Sequence, residues 1–108
     1  MIEKFDAFIL AKEFYDNCKC LKLPQFLKDQ LLRASSSIAL NLAEGSGKRT
    51  MEDQRRFYAM AYGSIRECQA ILILESINDP NLLKSADRLG AMVFRLSRPK
   101  TEKTARKQ

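Results

Sequence analysis

Residues 24–50 read P-Q-F-L-K-D-Q-L-L-R-A-S-S-S-I-A-L-N-L-A-E-G-S-G-K-R-T, and this stretch decides the fold. Its apolar residues recur every three or four positions, which is the spacing of one face of an α-helix. The members of this apolar face are Phe26, Leu27, Leu31, Ala34, Ile38 and Leu42, with Leu23 just before them. The segment therefore predicts a long amphipathic helix over about residues 24–44, followed by a short loop.

The ends and the middle of this helix each carry a further signal. Pro24 suits the first helical turn, where its missing N–H costs no hydrogen bond. Gly45 is expected to end the helix in a left-handed conformation. The middle, A-S-S-S-I-A at residues 34–39, has a weak intrinsic helix propensity. The close packing of a neighbouring helix on these small side chains is therefore expected to hold it.

Beyond the loop, the chain predicts a third helix from about residue 51 to residue 78, with Thr50 as its N-cap. Such a helix is about 42 Å long. Its apolar positions are Phe57, Ala61, Ile65, Cys68 and Leu72, flanked by Tyr58, Tyr62, Ile71 and Leu74. This surface is wider than the roughly 100° that a helix exposed on one side needs. The excess predicts a second buried face, either under the chain's own tail or against another subunit.

Two shorter helices complete the chain. Residues 3–19 place apolar side chains at helical spacing with one interruption, Lys12: Phe5, Phe8, Ile9, Tyr15 and Cys18. Pro80 disfavours helix at the residue before it, so a fourth helix is expected over residues 81–97. Its inward positions are Leu82, Leu83, Ala86, Leu89, Val93 and Leu96. Four helices with short connections predict an all-α, up-down-up-down bundle over residues 1–97.

Positive charge is concentrated after this bundle. The chain has 19 Lys and Arg against 13 Asp and Glu, a formal net charge of +6. Residues 98–108 form a tail in which Glu102 opposes five basic residues: Arg98, Lys100, Lys103, Arg106 and Lys107. A basic tail suggests an acidic partner, most often nucleic acid, although a flexible end that only keeps the protein soluble has the same composition.

The loop G-S-G-K-R-T resembles a phosphate-binding loop only superficially. The pattern G-x-x-x-x-G-K-[S/T] would need glycine at Leu42 and serine or threonine at Arg49, and it would follow a strand. A plain connection between helices fits better. Lys48 and Arg49 nevertheless lie beside a helix N-terminus, which attracts anions, so a phosphate contact is predicted there.

The absence of histidine limits the catalytic and metal-binding chemistry that the chain can support. It removes most metal sites, the Ser-His and Cys-His nucleophiles and the commonest general base. We therefore expect no enzyme, no cofactor and no metal. Three cysteines without a signal peptide favour the cytoplasm and reduced thiols, and no apolar stretch is long enough to cross a membrane.

Two residue groups have a structural and a functional interpretation. Glu44, Glu52, Glu67 and Glu75 could belong to a carboxylate-bridged metal site, but such sites use Glu-x-x-His pairs and the chain has no histidine. Arg33, Asn41, Glu44 and Glu67 are instead expected to form a structural polar network. The aromatic residues Phe57, Tyr58 and Tyr62 follow Arg55 and Arg56, as in a platform that stacks bases. Their helical spacing favours packing in the core or at an interface.

A family resemblance emerges from the same residues. The pattern R-A-x-x-S-I-x-x-N-I-A-E-G is matched by Arg33, Ala34, Ser37, Ile38, Asn41, Leu42, Ala43, Glu44 and Gly45. The pattern F-x-x-x-A-x-G-S-L-x-E is matched by Phe57, Ala61, Gly63, Ser64, Ile65 and Glu67. The chain thus resembles the four-helix bundle proteins encoded in intervening sequences of bacterial 23S rRNA genes. It departs from them at N-D-P (residues 78–80), which replaces a glycine-tyrosine turn, and at Arg66.

The resemblance implies a homopentamer. The family is also similar to the accessory variability protein of diversity-generating retroelements, a basic pentamer that binds nucleic acid and a reverse transcriptase. We therefore expect a non-catalytic homo-oligomer, a pentamer by this resemblance, that binds RNA or DNA through phosphate contacts. The alternative is an adaptor whose partner is another protein.

Overall fold

The computed structural model describes residues 5–99, which form four α-helices. They are α1 (Asp6–Cys18), α2 (Gln25–Ser46), α3 (Met51–Leu74) and α4 (Pro80–Ser97). Each helix contacts the next, and α1 also contacts α4, which closes the bundle. The predicted class, an all-α four-helix protein, is confirmed.

Contacts between side chains give the helix directions. Between α2 and α3, Gln30 donates to Glu67 at 3.2 Å and Ser64 donates to Ser37 at 3.0 Å. Residue numbers rise along one helix as they fall along the other, so α2 and α3 are antiparallel. Between α3 and α4, Gln69 donates to Asp87 at 3.0 Å, and the rings of Tyr62 and Phe94 are 5.4 Å apart, which is again an antiparallel order.

The core runs the length of the bundle, and all four helices supply it. Its buried members are Ala7, Ala11, Phe14, Cys18, Leu31, Ala34, Ile38, Leu42, Tyr58, Ala61, Ile65, Cys68, Ile71, Leu72, Leu82, Ala86, Leu89 and Val93. The inward face predicted for α4 is confirmed at four positions, while Leu83 and Leu96 pack partly buried against the core. The inward position predicted for Phe26 of α2 is wrong, because this side chain is exposed.

The inward face predicted for α1 is wrong. The structure buries Ala7, Ala11, Phe14 and Cys18, whereas Ile9 and Lys12 are exposed. Only Cys18 belongs to both sets. The apolar pattern follows the larger side chains, but two alanines one turn apart let α1 approach its neighbours closely. The larger side chains at Phe5 and Leu10 then cover the edge of the core, partly buried.

Gly45 does not end α2 in a left-handed conformation. The helix continues through Gly45 to Ser46, and none of the described glycines has a positive φ. A Cβ on Gly45 would lie 2.8 Å from Cε1 of Tyr58 and 3.0 Å from Cβ of Phe57. Glycine is therefore required at this position by the close approach of α2 and α3 rather than by a turn.

The third helix ends four residues earlier than predicted, at Leu74. Ser76 follows with a φ of 52°, the left-handed conformation that commonly stops a helix. The amide of Ile77 donates to the carbonyl of Leu72, and that of Ser76 to the carbonyl of Ile73, each at 3.0 Å. This double hydrogen bond is a Schellman motif, and it turns Ile77 back against the core.

Side-chain caps fix the starts of α3 and α4. The Thr50 hydroxyl accepts a hydrogen bond from the amide of Asp53 at 3.1 Å, so the predicted N-cap is confirmed. Asp79 accepts from the amide of Leu82 at 3.2 Å and caps α4, which begins at Pro80. These two caps set where the connections end and therefore which residues lie at each end of the bundle.

Candidate nucleic-acid interface

One end of the bundle, here called the basic end, brings together segments that are far apart in the sequence. It contains the connection between α2 and α3, with Lys48 and Arg49, and the last turn of α4. The Arg98 guanidinium lies 5.0 Å from the ring centre of Phe94. The remaining predicted tail residues, Lys100, Lys103, Arg106 and Lys107, lie outside the described residues.

Lys48 has a structural role at the basic end. Its Nζ lies 3.1 Å from Oε2 of Glu44 and 5.0 Å from the ring centre of Phe57. Its carbonyl accepts a hydrogen bond from Gln54 at 3.0 Å. An incoming phosphate would therefore compete with Glu44 for the ammonium group, whereas the exposed Arg49 faces solvent.

The first turn of α3 is electrostatically mixed. Thr50 already caps the helix N-terminus, and Glu52 and Asp53 follow in the first turn. These carboxylates interact favourably with the positive end of the helix dipole, so they oppose a bound anion there. Arg56 forms an ion pair with Asp53 at 3.4 Å, and its guanidinium lies 5.8 Å from the Phe57 ring.

Arg95 is a basic residue at this end that the sequence patterns did not single out. It is exposed and lies in the last turn of α4, one turn before Arg98. A basic residue in a last turn interacts favourably with the helix C-terminus, a signal that could have drawn attention to it. Together with Arg49 and Arg98, it gives the basic end three arginines from two elements that are distant in sequence.

The aromatic residues of α3 pack rather than form an open platform. Tyr58 is buried, and burial raises the pKa of its hydroxyl. Phe57 is partly buried beside Gly45. Tyr62 is also partly buried and stacks at an angle against Phe94, while its hydroxyl accepts from Arg66 at 3.4 Å. All three rings are thus buried or partly buried, which fits packing better than an open platform.

A seam of small polar groups joins α2 to α3 at mid-height. The Asn41 amide donates to the carbonyl and to the hydroxyl of Ser37, each at 3.0 Å. The Ser64 hydroxyl donates to the same Ser37 hydroxyl at 3.0 Å. All three side chains are partly buried. The serine-rich middle of α2 thus supplies both the close approach and the hydrogen bonds between these helices.

The other members of the predicted polar network face outward within one chain. The Glu44 side chain is 56% exposed and pairs with Lys48, and Glu67 accepts from Gln30. Arg33 is exposed on the outer surface of α2. Arg33, Asn41, Glu44 and Glu67 therefore do not bond to one another in a single copy.

No group of three His, Cys, Asp or Glu within residues 5–99 is placed to hold a metal ion. Burial raises the pKa of the Cys18 thiol to about 12 and also raises that of Cys68, while Cys20 is exposed. At neutral pH both buried thiols stay protonated and are poor nucleophiles.

None of the four helices is long and apolar enough to span a membrane.

The fold defines a class: a compact all-α four-helix protein. The family model of the 23S rRNA-intervening sequence protein matches residues 5–99, and the chain belongs to that family. This confirms the resemblance that the motifs of α2 and α3 indicated. Comparisons with curated proteins and with solved structures gave no significant match.

Proposed function

We propose that this protein is a non-catalytic homo-oligomer that binds RNA or DNA through phosphate contacts at its basic end. The observation that supports this most is the convergence of two predicted basic segments. The α2–α3 connection, with Lys48 and Arg49, and the end of α4, after which the tail begins, lie at the same end of the bundle. The phosphate backbone is the common acidic partner of such a surface.

The binding should be nearly blind to sequence. Base readout needs side chains held in a groove, whereas long, flexible Lys and Arg side chains contact phosphates and position the protein. Counterion release then drives the association, so the logarithm of affinity falls with the logarithm of salt concentration by about 0.9 per phosphate contacted.

The homo-oligomer is the second part of the proposal. Membership of the family makes the pentamer implied by the resemblance the expected assembly. Five copies would combine five formal charges of +6, roughly +30 in all, and clustered charge of one sign raises the association rate with phosphates. The basic end of each copy then needs only a weak affinity for nucleic acid.

A protein partner is the second candidate. A groove of about 520 Å³ runs between α3 and α4, lined by Ala70, Leu83 and Ile73 among others, and Ile73 is strongly exposed. An adaptor would use such a groove and would have no need of the tail's charge. It predicts that nucleic acid does not bind even at low salt.

The test is a fluorescence-anisotropy titration of single- and double-stranded RNA and DNA at three salt concentrations. Deletion of residues 98–108, and separately Lys48→Ala with Arg49→Ala, should weaken binding and flatten the salt slope. Lys22→Ala with Lys84→Ala is the matched control, because it removes the same charge from exposed sites at the opposite end. Equal weakening by the control would contradict the basic-end assignment. Absence of binding at about 50 mM salt, where phosphate contacts are strong, would favour the adaptor.

A further inference from the structure

A hollow between α3 and α4, here called the aromatic hollow, lies beside the basic end. Its volume is about 330 Å³, and its lining residues come from α3 and α4: Tyr62, Arg66, Gln69, Asp87, Gly90, Ala91 and Phe94. It shares Arg66, Gln69 and Asp87 with the larger groove between the same helices, so the two are continuous. Because α3 and α4 are antiparallel, the hollow is the part of this groove that lies nearer the basic end.

Phe94 gives the hollow an aromatic ring that solvent can reach. It is 39% exposed, although it is a large apolar side chain. Tyr62 packs against it at 57°, with ring centres 5.4 Å apart, and so fixes its position. The Arg98 guanidinium lies over the ring, 5.0 Å from its centre, and Arg98 is itself exposed. A flat group from solvent can therefore approach this ring, and Gly90 and Ala91 beside it leave space for one.

Two polar side chains of the hollow can form hydrogen bonds with the edge of such a group. Gln69 of α3 donates to Asp87 of α4 at 3.0 Å, which places an amide and a carboxylate side by side. An amide both donates and accepts hydrogen bonds, and a carboxylate accepts them, as the edges of nucleobases require. The negative charge of Asp87 repels phosphate, so a base suits this part of the hollow better than a phosphate does.

Positive charge lies next to the ring instead. Arg66 lines the hollow and contacts the Tyr62 hydroxyl at 3.4 Å. Arg95 and Arg98 follow Phe94 on α4, and both are exposed. Guanidinium groups form strong, directional hydrogen bonds with phosphate oxygens. The hollow therefore offers a ring for a base, and the surface around it offers cations for the phosphates on either side of that base.

We propose that the aromatic hollow takes an unpaired base of a single-stranded nucleic acid, which stacks on Phe94 while the neighbouring arginines contact its phosphates. This inference rests on the proposed function and names the class of nucleic acid that the basic end prefers. Bases within a duplex are paired and stacked on each other, so they cannot enter a hollow between two helices. Every base has a flat face that can stack on an aromatic ring, so this preference leaves the binding nearly blind to sequence.

The chain contains no tryptophan, which permits a direct test of stacking. Phe94→Trp keeps a flat ring in the hollow and introduces one fluorescent indole. Its emission should fall when single-stranded RNA or DNA saturates the protein, because a stacked base quenches the indole, and a duplex of the same length should not cause this fall. Phe26→Trp is the matched control, since Phe26 is an exposed phenylalanine at the start of α2, at the opposite end of the bundle. Its emission should not respond to either strand form.

Affinity gives the second measurement. Phe94→Leu removes the ring but keeps apolar volume against Tyr62. Its affinity for single strands, measured by anisotropy, should fall roughly fivefold or more, the effect of losing one stacked base. Its affinity for duplex and its salt slope should match the wild type, because the phosphate contacts are unchanged. Ala91→Leu, at an exposed residue, fills the hollow and should weaken single-strand binding with the ring still present. Phe26→Leu should change neither affinity, and circular dichroism confirms that each variant remains helical.

The inference requires both the quenching at position 94 and the selective loss of single-strand affinity. If the wild type binds nucleic acid but either effect is missing, or if Phe94→Leu weakens single strands and duplex equally, no base stacks in the hollow. Phosphate binding at the basic end would then still stand. If the wild type binds neither strand form at about 50 mM salt, where phosphate contacts are strong, the proposed function fails and this inference fails with it.

Discussion

Replacing Gly45 by alanine perturbs a junction where α2 and α3 approach each other closely. The added Cβ would lie 2.8 Å and 3.1 Å from two carbons of the Tyr58 ring and 3.0 Å from Cβ of Phe57. The Tyr58 ring is buried, and Cβ of Phe57 is attached directly to the backbone. Relief therefore requires either a shifted ring or a small separation of the helices.

The size of the effect follows from two opposing contributions. Overpacking a well-packed site costs about 1–3 kcal/mol. Alanine recovers at most about 1 kcal/mol of helix propensity, and less near the end of a helix. We expect a net loss of about 1–2 kcal/mol in the free energy of unfolding. For a domain of this size, the melting temperature should fall by roughly 5–15 °C.

Thermal unfolding followed by circular dichroism measures this change, with Gly63→Ala as the matched control. A Cβ at Gly63 meets no atom within 4 Å, so only the gain in helix stability remains, about 0.5–1 kcal/mol. If Gly45→Ala melts at or above its parent, close approach is not the reason for glycine at that position.

Further expectations concern the thiols and the caps. In native protein at about pH 8, close to the ordinary thiol pKa, only Cys20 should react rapidly with a thiol reagent. Cys18 and Cys68 should react slowly because burial raises the pKa of their thiols. Three thiols that react equally fast would contradict the burial of Cys18 and Cys68. Thr50→Ala should lower the free energy of unfolding in urea by about 1 kcal/mol, since an amide of the first turn loses its acceptor. Asp79→Ala should cost a similar amount, and no shift in either urea midpoint would mean that solvent replaces the cap.

The parts of the fold that could be predicted are those where a particular residue type favours one local structure. Thr50 can accept a hydrogen bond from the helix that follows it, and Pro80 restricts the residue before it, so the starts of α3 and α4 fall close to their predicted positions. The inward face of α1 was missed because Ala7 and Ala11 contribute little to an apolar pattern. Their value lies in how closely they let other helices approach.

Gly45 and Ser76 show that backbone conformation, too, could not be predicted from residue type alone. Glycine just after a polar helix end usually signals a left-handed turn, but a tertiary contact required it here, while a serine took the left-handed position after α3. At the candidate site, sequence composition identified Lys48 and Arg49. It could not show that Glu44 and Phe57 already engage Lys48, because those contacts depend on the geometry of the loop.

The order of helix contacts bears on how fast the chain folds. Three of the four helix pairs with extensive contacts are neighbours along the chain, and only the α1–α4 pair joins distant segments. Helical proteins dominated by local contacts fold within microseconds to milliseconds, since little loop entropy is lost before contacts form. Nascent helical hairpins can therefore form as each second helix is completed, and the α1–α4 contact closes last. A stopped-flow refolding phase of seconds would contradict this order.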